Sequence, residues 1–223
     1  NMKFKYLIFD LDGTILDSHE GLCRSFQSAL KAYGIEESIG NIKNHLGPLL
    51  SETIVKVYGL SKEDGIEAMK LHRKRLMEKG IYECSVYEGI PEMLKTLKDY
   101  NVKLAIATNK PEEASVSQLK YFDLIKYFDV VVGNNWDENR GTKGEFIKMA
   151  MMEMKVNDIS RVCMVGDRYN DIEGGKENGL STIGLTYGYG SRAELEKYSV
   201  PYRLVCFVSS PMEICDIVLK KGM

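Results

Sequence analysis

Short apolar runs without internal alternation recur along the chain, separated by segments with helical spacing. A strand made from such a run is buried on both faces, as in a parallel sheet covered by helices. The runs are YLIF (6–9), KLAIAT (103–108), VVVG (130–133), VCMVG (162–166), STIGL (181–185) and RLVCFV (203–208). Helical spacing fills 90–100, 112–122, 143–154, 171–178, 192–197 and 212–220. This alternation predicts an α/β fold with a doubly wound parallel sheet.

The interval between residues 14 and 87 departs from this alternation. Its stretches, among them GLCRSFQSALKAYG and KEDGIEAMKLHRKRLMEKG, have helical spacing and no convincing strand. A block of this size is too long for a loop, so it should form a small helical bundle of its own. We therefore expect an α/β core from residues 1–14 and 88–223 and a helical domain, the insert, from residues 15–87.

Charge and cysteine content limit the classes of partner and compartment. The 223 residues carry 30 Lys plus Arg and 32 Asp plus Glu, a net charge of −2. Such a chain has no broad positive field to gather nucleic acid or an anionic membrane, and no apolar stretch is long enough to span a bilayer. Five cysteines without a C-x-x-C pair predict reduced, packed thiols in a cytoplasmic protein. The sequence does not determine an oligomeric state.

Polar residues follow four of the predicted strands at their carboxyl ends, where open α/β sheets bind ligands. They are Asp10 and Asp12, Thr108 and Asn109, Lys143, and Asp167 with Asp171. Carboxylates without cysteine or histidine suit a hard cation such as Mg²⁺, which lets a carboxylate nucleophile approach a phosphate. A hydroxyl, an ammonium and backbone N–H groups can hold phosphoryl oxygens. The pattern predicts phosphoryl transfer through a covalent carboxyl phosphate.

Four motifs, in order, resemble those of the haloacid dehalogenase superfamily, phosphatase branch, along nearly the whole chain. DLDGT (10–14) is similar to the first motif, ATN (107–109) to the second, Lys143 to the third and GDRYND (166–171) to the fourth. The resemblance implies a Mg²⁺-dependent hydrolase of a small phosphorylated metabolite. It also implies that the insert is a cap that closes over the site and excludes water.

The resemblance implies roles for the acids of the site. Asp10 would be the nucleophile that takes the phosphoryl group. Asp12 would protonate the leaving oxygen and later activate the hydrolytic water, which favours phosphate ester hydrolysis over dehalogenation. Mg²⁺ would be held by the Asp10 side chain, the Asp12 backbone carbonyl and Asp167.

The resemblance also implies roles for the groups around these acids. Thr108 and Asn109 would bind phosphoryl oxygens, and Lys143 would pair with the phosphate and the nucleophile. Asp171 would orient a metal-bound water or Lys143. The proline common beside the third-motif lysine is missing here, and Lys110 lies close enough to the second motif to compete for that role. We prefer Lys143 because it begins a predicted helix after a loop, where the helix dipole favours phosphate.

The stretch HLGPLL (45–50) resembles a cap loop that reaches the leaving group in phosphoglycolate-phosphatase-like and 5′-nucleotidase-like relatives. The Gly- and Tyr-rich run at 185–195 points to the same subgroup. The substrate residues of the loop would be Gly47, Pro48 and Leu49. Its apolar character argues against a second binding site for a negatively charged group of the substrate, unless a cation of the insert turns inward. Candidate cations are Arg24, Lys43 and Lys56.

The expected function is hydrolysis of a small phosphomonoester through an aspartyl phosphate, with a phosphoglycolate-phosphatase-like activity first. A 5′-nucleotidase, a sugar-phosphate phosphatase and a pyrophosphatase remain alternatives, with a phosphomutase or a phospho-Asp signalling domain behind them. Receiver domains carry the phosphorylated aspartate on a later strand and have no helical insert, which counts against signalling. We expect surface or packing roles for His19, His45 and His72, the first two being candidates for the cap mouth.

Overall fold

The structure, a computed structural model, describes residues 3–199 and 205–219. Its strands are β1 Tyr6–Phe9, β2 Leu16–Asp17, β3 Ser85–Val86, β4 Lys103–Pro111, β5 Val130–Asn134, β6 Val162–Gly166, β7 Ser181–Leu185 and β8 Val205–Val208. Six of them form one sheet in the order β5-β4-β1-β6-β7-β8, and every pair in it is parallel. The chain passes from β1 in the middle to both sides of the sheet, so the predicted doubly wound α/β fold is confirmed.

The helices lie in the predicted intervals. They are α1 His19–Lys31, α2 Ile39–Lys43, α3 Leu50–Lys56, α4 Lys62–Arg75, α5 Ile90–Asp99, α6 Glu112–Tyr121, α7 Lys143–Glu153, α8 Tyr169–Glu177, α9 Arg192–Ser199 and α10 Pro211–Val218. Helix α4 continues into a π-helical turn, Leu76–Gly80. Helix α8 begins two residues before the predicted start, α9 ends two residues after the predicted end, and α10 begins one residue early. Residues 203 and 204 of the last predicted strand and residue 220 of the last predicted helix lie outside the described residues.

The central strands are buried on both faces, which explains their continuous apolar runs. In β1, Leu7 and Phe9 belong to one apolar cluster and Ile8 to another on the opposite side of the sheet. In β4, Leu104 joins the first cluster and Ala105 the second. A strand with a core on each side needs apolar residues at successive positions, because successive side chains point to opposite faces.

The insert contains a small sheet that sequence analysis did not predict. Strands β2 and β3 pair antiparallel, with Leu16 opposite Val86 and Asp17 opposite Ser85. The prediction of an insert without strands was therefore wrong in this detail. Each strand has two residues, too few for an alternating pattern, and the pairing joins the two ends of the insert. The helices between them share an apolar cluster whose buried members lie within residues 22–81, apart from Ala114.

The turn after β1 places the first motif at the carboxyl edge of the sheet. The Asp10 N–H donates to Val165 O at 2.9 Å, which extends the pairing of β1 with β6 by one residue. Gly13 then turns the chain with φ of 81°, and its N–H donates to Leu16 O at 2.8 Å. Glycine adopts this left-handed conformation without a steric penalty.

None of the helices in residues 3–199 and 205–219 is long and apolar enough to cross a membrane. The five cysteines all fall in this part of the chain, and none of them forms a disulfide. Three are buried: Cys23, Cys163 and Cys215. Cys84 is half-buried and Cys206 is exposed, so the prediction of packed thiols holds for three of the five.

Candidate active site

Three buried carboxylates meet at the carboxyl edge of the sheet. Asp10 follows β1, Asp167 follows β6, and Asp171 lies in the first turn of α8. One carboxylate oxygen of each residue lies within 4.8 Å of those of the other two. The side chain of Asp12 is not a member of this cluster. The structure thus brings together three of the four acids predicted from the strand ends.

Lys143 lies against this cluster at the N-terminus of α7. Its ammonium donates to Asp10 Oδ1 at 2.9 Å and to Ala107 O at 2.8 Å, and it lies 3.0 Å from Asp171 Oδ1. A capping box between Thr142 and a glutamate of the first turn fixes the start of α7. Burial alone would lower the pKa of the Lys143 ammonium, but the two carboxylates beside it raise it above its usual value. The lysine is therefore charged.

One ammonium does not balance three buried carboxylates. Burial, followed by repulsion from Asp171, raises the pKa of Asp10 to about 7, although Lys143 opposes the shift. Burial and repulsion from Asp171 and Asp10 also raise the pKa of Asp167 well above its usual value. The excess negative charge needs a proton or a cation. Oxygen donors alone, gathered at one point, fit a hard cation such as Mg²⁺.

Hydrogen bonds hold Asp167 and Asp171 in place, from distant residues for Asp167 and from neighbouring backbone N–H groups for Asp171. Asp167 accepts from Thr14 Oγ1 at 3.1 Å and from the Tyr189 N–H at 2.8 Å. Asp171 Oδ2 accepts from the N–H groups of Asp167 at 2.9 Å and Arg168 at 3.0 Å. Sequence analysis gave no role to Thr14 or Tyr189. The sequence signals that could have pointed to them are the first motif, which contains Thr14, and the Gly- and Tyr-rich run, which contains Tyr189.

Asp12 has its own partners beside the cluster. Its Oδ1 accepts from Lys110 Nζ at 2.8 Å and from the Ser18 hydroxyl. The Lys110 ammonium also donates to Gln118 Oε1. The two lysines that competed for the third motif thus have different partners: Lys143 contacts Asp10 and Lys110 contacts Asp12. This geometry supports Lys143 as the counterpart of the third motif.

Thr108 and Asn109 lie in the last residues of β4 and line a cavity above Asp10. The Thr108 hydroxyl accepts from the Lys110 N–H at 3.1 Å. The Asn109 side-chain amide donates to Gly47 O at 3.1 Å. The second motif therefore lies at the cavity, and Asn109 also contacts the predicted substrate loop of the insert.

The cavity has a polar floor from the core and a largely apolar roof from the insert. Its volume is about 60 Å³. Its floor includes Asp10, Asp12, Thr108, Asn109 and Lys110, and its roof is formed by Leu22, Leu46, Gly47, Pro48, Leu50, Met69, His72 and Leu76. Trp136 and Glu138, from the loop after β5, also line it. Of the predicted substrate loop, Gly47 and Pro48 line the cavity, whereas Leu49 does not and is the N-cap residue of α3.

The core holds the loop at 45–50 through groups that sequence analysis missed. The buried Arg168 guanidinium donates to Leu46 O, and the Asn170 side-chain amide donates to Gly47 O at 3.3 Å. Gly47 has φ of 114°, and a Cβ there would lie 2.9 Å from Cγ of Arg168. Close approach of the loop to the core thus requires glycine at this position.

The three candidate cations of the insert do not line the cavity. Arg24 pairs with Glu20 at 3.1 Å, and Lys56 pairs with Glu52 at 2.7 Å on the surface. The Lys43 ammonium lies 5.6 Å from the ring centre of Tyr189. In this arrangement, none of these three cations is placed to bind a second negatively charged group of the substrate.

The histidines differ in position. His19 Nδ1 lies 2.6 Å from Asp17 Oδ1, and the His45 ring packs edge-on against Tyr58. Neither lines the cavity. His72 is buried, packs edge-on against Phe26 and does line the cavity. Its helical spacing indicated only packing, since no sequence pattern distinguishes a core histidine from one at a cavity wall.

Comparison with known proteins agrees with this geometry. The family model for haloacid dehalogenase-like hydrolases matches residues 7–185. The chain belongs to this family. It is 33% identical to a 5′-nucleotidase of Pseudomonas aeruginosa, over 88% of this chain and 89% of that protein. It is 31% identical to a phosphoglycolate phosphatase of Aquifex aeolicus, over 83% of this chain and 86% of that protein.

A solved structure shows the same fold. The crystal structure of a predicted phosphatase from Clostridium acetobutylicum superimposes with a TM-score of 0.90 at 35% sequence identity, covering 97% of this chain and 99% of that one. The predicted family, fold and enzyme class, a phosphatase-type hydrolase, are confirmed. The two named relatives differ in their substrates, so the comparison does not favour phosphoglycolate over a nucleotide.

Proposed function

We propose that this protein hydrolyses a small phosphomonoester through an aspartyl phosphate on Asp10, with Mg²⁺ bound at the carboxyl edge of the sheet. The observation that carries the proposal is the cluster of Asp10, Asp167 and Asp171 with Lys143 in contact with two of its members. The Asp10 and Asp167 side chains and the Asp12 backbone carbonyl would hold the cation. Bound there, Mg²⁺ would offset the repulsion between Asp10 and a phosphate dianion.

In the first half of the reaction, a carboxylate oxygen of Asp10 attacks phosphorus and the ester P–O bond breaks. Asp12 donates its proton to the leaving alcohol oxygen, which would otherwise be a poor leaving group. Lys110 and the Ser18 hydroxyl hold the Asp12 carboxyl in position. Thr108, with its side chain at the cavity floor, and Lys143 bind the phosphoryl oxygens.

In the second half, Asp12 takes a proton from water, the water oxygen attacks phosphorus, and the bond between phosphorus and the Asp10 oxygen breaks. Inorganic phosphate leaves and the Asp10 carboxylate is restored. Asp171 keeps Lys143 in place, because its carboxylate lies 3.0 Å from the ammonium and is itself bound by two backbone N–H groups. Asn109 connects the phosphate side of the cavity to Gly47 of the insert.

We further propose that residues 15–87 act as a cap on a core of residues 1–14 and 88–223. The insert supplies most of the cavity roof, and its buried cluster is nearly independent of the core. A cavity of about 60 Å³ leaves little room for a leaving group, so the insert must open to admit substrate. Pro48 and Gly47 would then contact the leaving group on closure.

The test is phosphate release from a panel of phosphomonoesters and pyrophosphate, with Mg²⁺ and with chelator. Asp10→Asn should lower the rate by at least about a thousandfold, because the nucleophile is lost while the side chain keeps its shape. Asp216→Asn, at an exposed position of α10, is the matched control and should leave the rate unchanged. Activity of Asp10→Asn close to that of the control would assign the nucleophile to another residue. Activity in chelator would remove the role of the metal.

A further inference from the structure

The loop after β7 places a tyrosine between the acidic cluster and the insert. The Tyr189 N–H donates to Asp167 Oδ2 at 2.8 Å, and a Cβ on Gly13 would lie 2.9 Å from Cδ2 of the Tyr189 ring. The partly buried ring also packs against the apolar cluster of the insert. Tyr189 therefore contacts the core and the insert at once, yet the proposed reaction gives its side chain no role.

The hydroxyl of this tyrosine makes two hydrogen bonds with the segment that leads into the insert. It accepts from the Ser18 N–H at 2.8 Å and donates to Asp17 Oδ1 at 3.1 Å. The same Asp17 oxygen lies 2.6 Å from His19 Nδ1. Because one phenolic oxygen both accepts and donates here, a phenylalanine would fill the space without fixing this segment.

Ser18 connects this tyrosine to Asp12. Ser18 is the N-cap residue of α1, and a serine at this place usually accepts from an N–H of the first helical turn. Within the described part of the chain, its side chain makes no such capping bond. The buried Ser18 hydroxyl instead donates to Asp12 Oδ1. The serine thus contributes to the position of Asp12 rather than to the capping of its own helix.

The two side chains that donate to the Asp12 carboxyl, among residues 3–199 and 205–219, contact the same oxygen. Lys110 and Ser18 both donate to Oδ1. A carboxylic acid carries its proton on one oxygen and accepts on the other, so these contacts place the proton of Asp12 on Oδ2. Without the Ser18 contact the carboxyl would be freer to rotate, and that proton would lose its fixed place.

We propose that Tyr189 is a positioning residue for the acid of the reaction: its hydroxyl fixes Ser18, and Ser18 fixes Asp12. This inference rests on the proposed function and adds a residue to the same site. As the ester P–O bond breaks, its electron pair stays on the leaving oxygen and the Asp12 proton moves to that oxygen. A carboxyl that samples several orientations transfers its proton less readily, which matters most for a strongly basic leaving oxygen.

The test compares Tyr189→Phe with the wild type on phenyl phosphate and p-nitrophenyl phosphate, with Mg²⁺ present. The two esters are similar in size, but phenolate is the more basic leaving group and depends more on an acid. The variant should lower kcat/KM for phenyl phosphate about tenfold, a part of the hundred- to ten-thousandfold that a placed acid contributes, and for p-nitrophenyl phosphate about twofold or less. Because kcat/KM includes only the steps up to phosphoryl transfer to Asp10, the second half of the reaction does not affect the comparison.

Two further variants test the connection through Ser18. Ser18→Ala should show the same selective decrease on phenyl phosphate. The double variant with Tyr189→Phe should be no worse than Ser18→Ala alone, because residues that act in one hydrogen-bond network are not additive. Tyr121→Phe changes an exposed tyrosine of α6, serves as the matched control and should behave as the wild type.

Magnesium binding separates this role from the metal site. Calorimetry should give the same Mg²⁺ affinity for Tyr189→Phe as for the wild type, because the bond to Asp167 comes from the backbone. Unchanged rates in Tyr189→Phe, equal decreases for both esters, additive effects in the double variant or weaker Mg²⁺ binding would each overturn this inference alone. No hydrolysis of either ester by the wild type would overturn the proposed function and the inference with it.

Discussion

Replacement of Lys143 by methionine tests whether the acidic cluster depends on this one cation. The ammonium is bound to Asp10 at 2.9 Å and lies 3.0 Å from Asp171, and all three side chains are at least nine-tenths buried. Methionine has a similar length and no charge, so the substitution leaves two buried carboxylates without their partner. Breaking a buried ion pair from one side costs about 3–5 kcal/mol. For a chain of this size, that corresponds to a thermal midpoint about 6–20 °C lower.

The measurement is thermal unfolding by circular dichroism in chelator, at about pH 8 and about pH 5.5. The loss should be smaller at the lower pH. Asp10, whose pKa is about 7, already holds a proton there, and only the contact with Asp171 is lost. Lys148→Met, at an exposed position of the same helix, is the matched control. A midpoint of Lys143→Met equal to that of the control at the higher pH would show that the cluster is not held by this ion pair.

Two further predictions concern the acidic cluster and its proposed metal. In chelator, the folded protein should lose stability as pH rises from about 4 to about 7, by up to about 4 kcal/mol from Asp10 alone, because the folded state holds the Asp10 proton to a higher pH than the unfolded chain does. Asp167, whose pKa is also raised, should add to this loss. Unfolding midpoints across this pH range measure the loss, and a flat profile would contradict it. Gly13→Ala should weaken Mg²⁺ binding, measured by calorimetry, because its Cβ would lie 2.2 Å from Asp167 Oδ2. Gly34→Ala shares the positive φ without any atom within 4 Å of the new Cβ, so it should bind Mg²⁺ as the wild type does; equal binding by both variants would refute the steric argument.

The parts of the fold that sequence analysis predicted have a local pattern behind them. Continuous apolar runs mark strands buried on both faces, and the carboxyl-end rule then places Asp10, Asp167 and Lys143 at one edge of the sheet. The small sheet of β2 and β3 had no such pattern, since two residues per strand are too few to show a period. The contact of Lys110 with Asp12 was also missed. These residues are 98 positions apart, and the sequence around neither indicates the other.

The sequence by itself determined the sheet, the helical insert and the chemistry at the strand ends, because each depends on residue type and spacing within a short window. Only the tertiary structure decided how the insert meets the core. Arg168 binding Leu46 O, Asn109 binding Gly47 O and His72 at the cavity wall all join segments that come together on folding. The acidic cluster follows from local motifs, whereas the roof of the cavity depends on contacts between elements, which spacing along the chain does not encode.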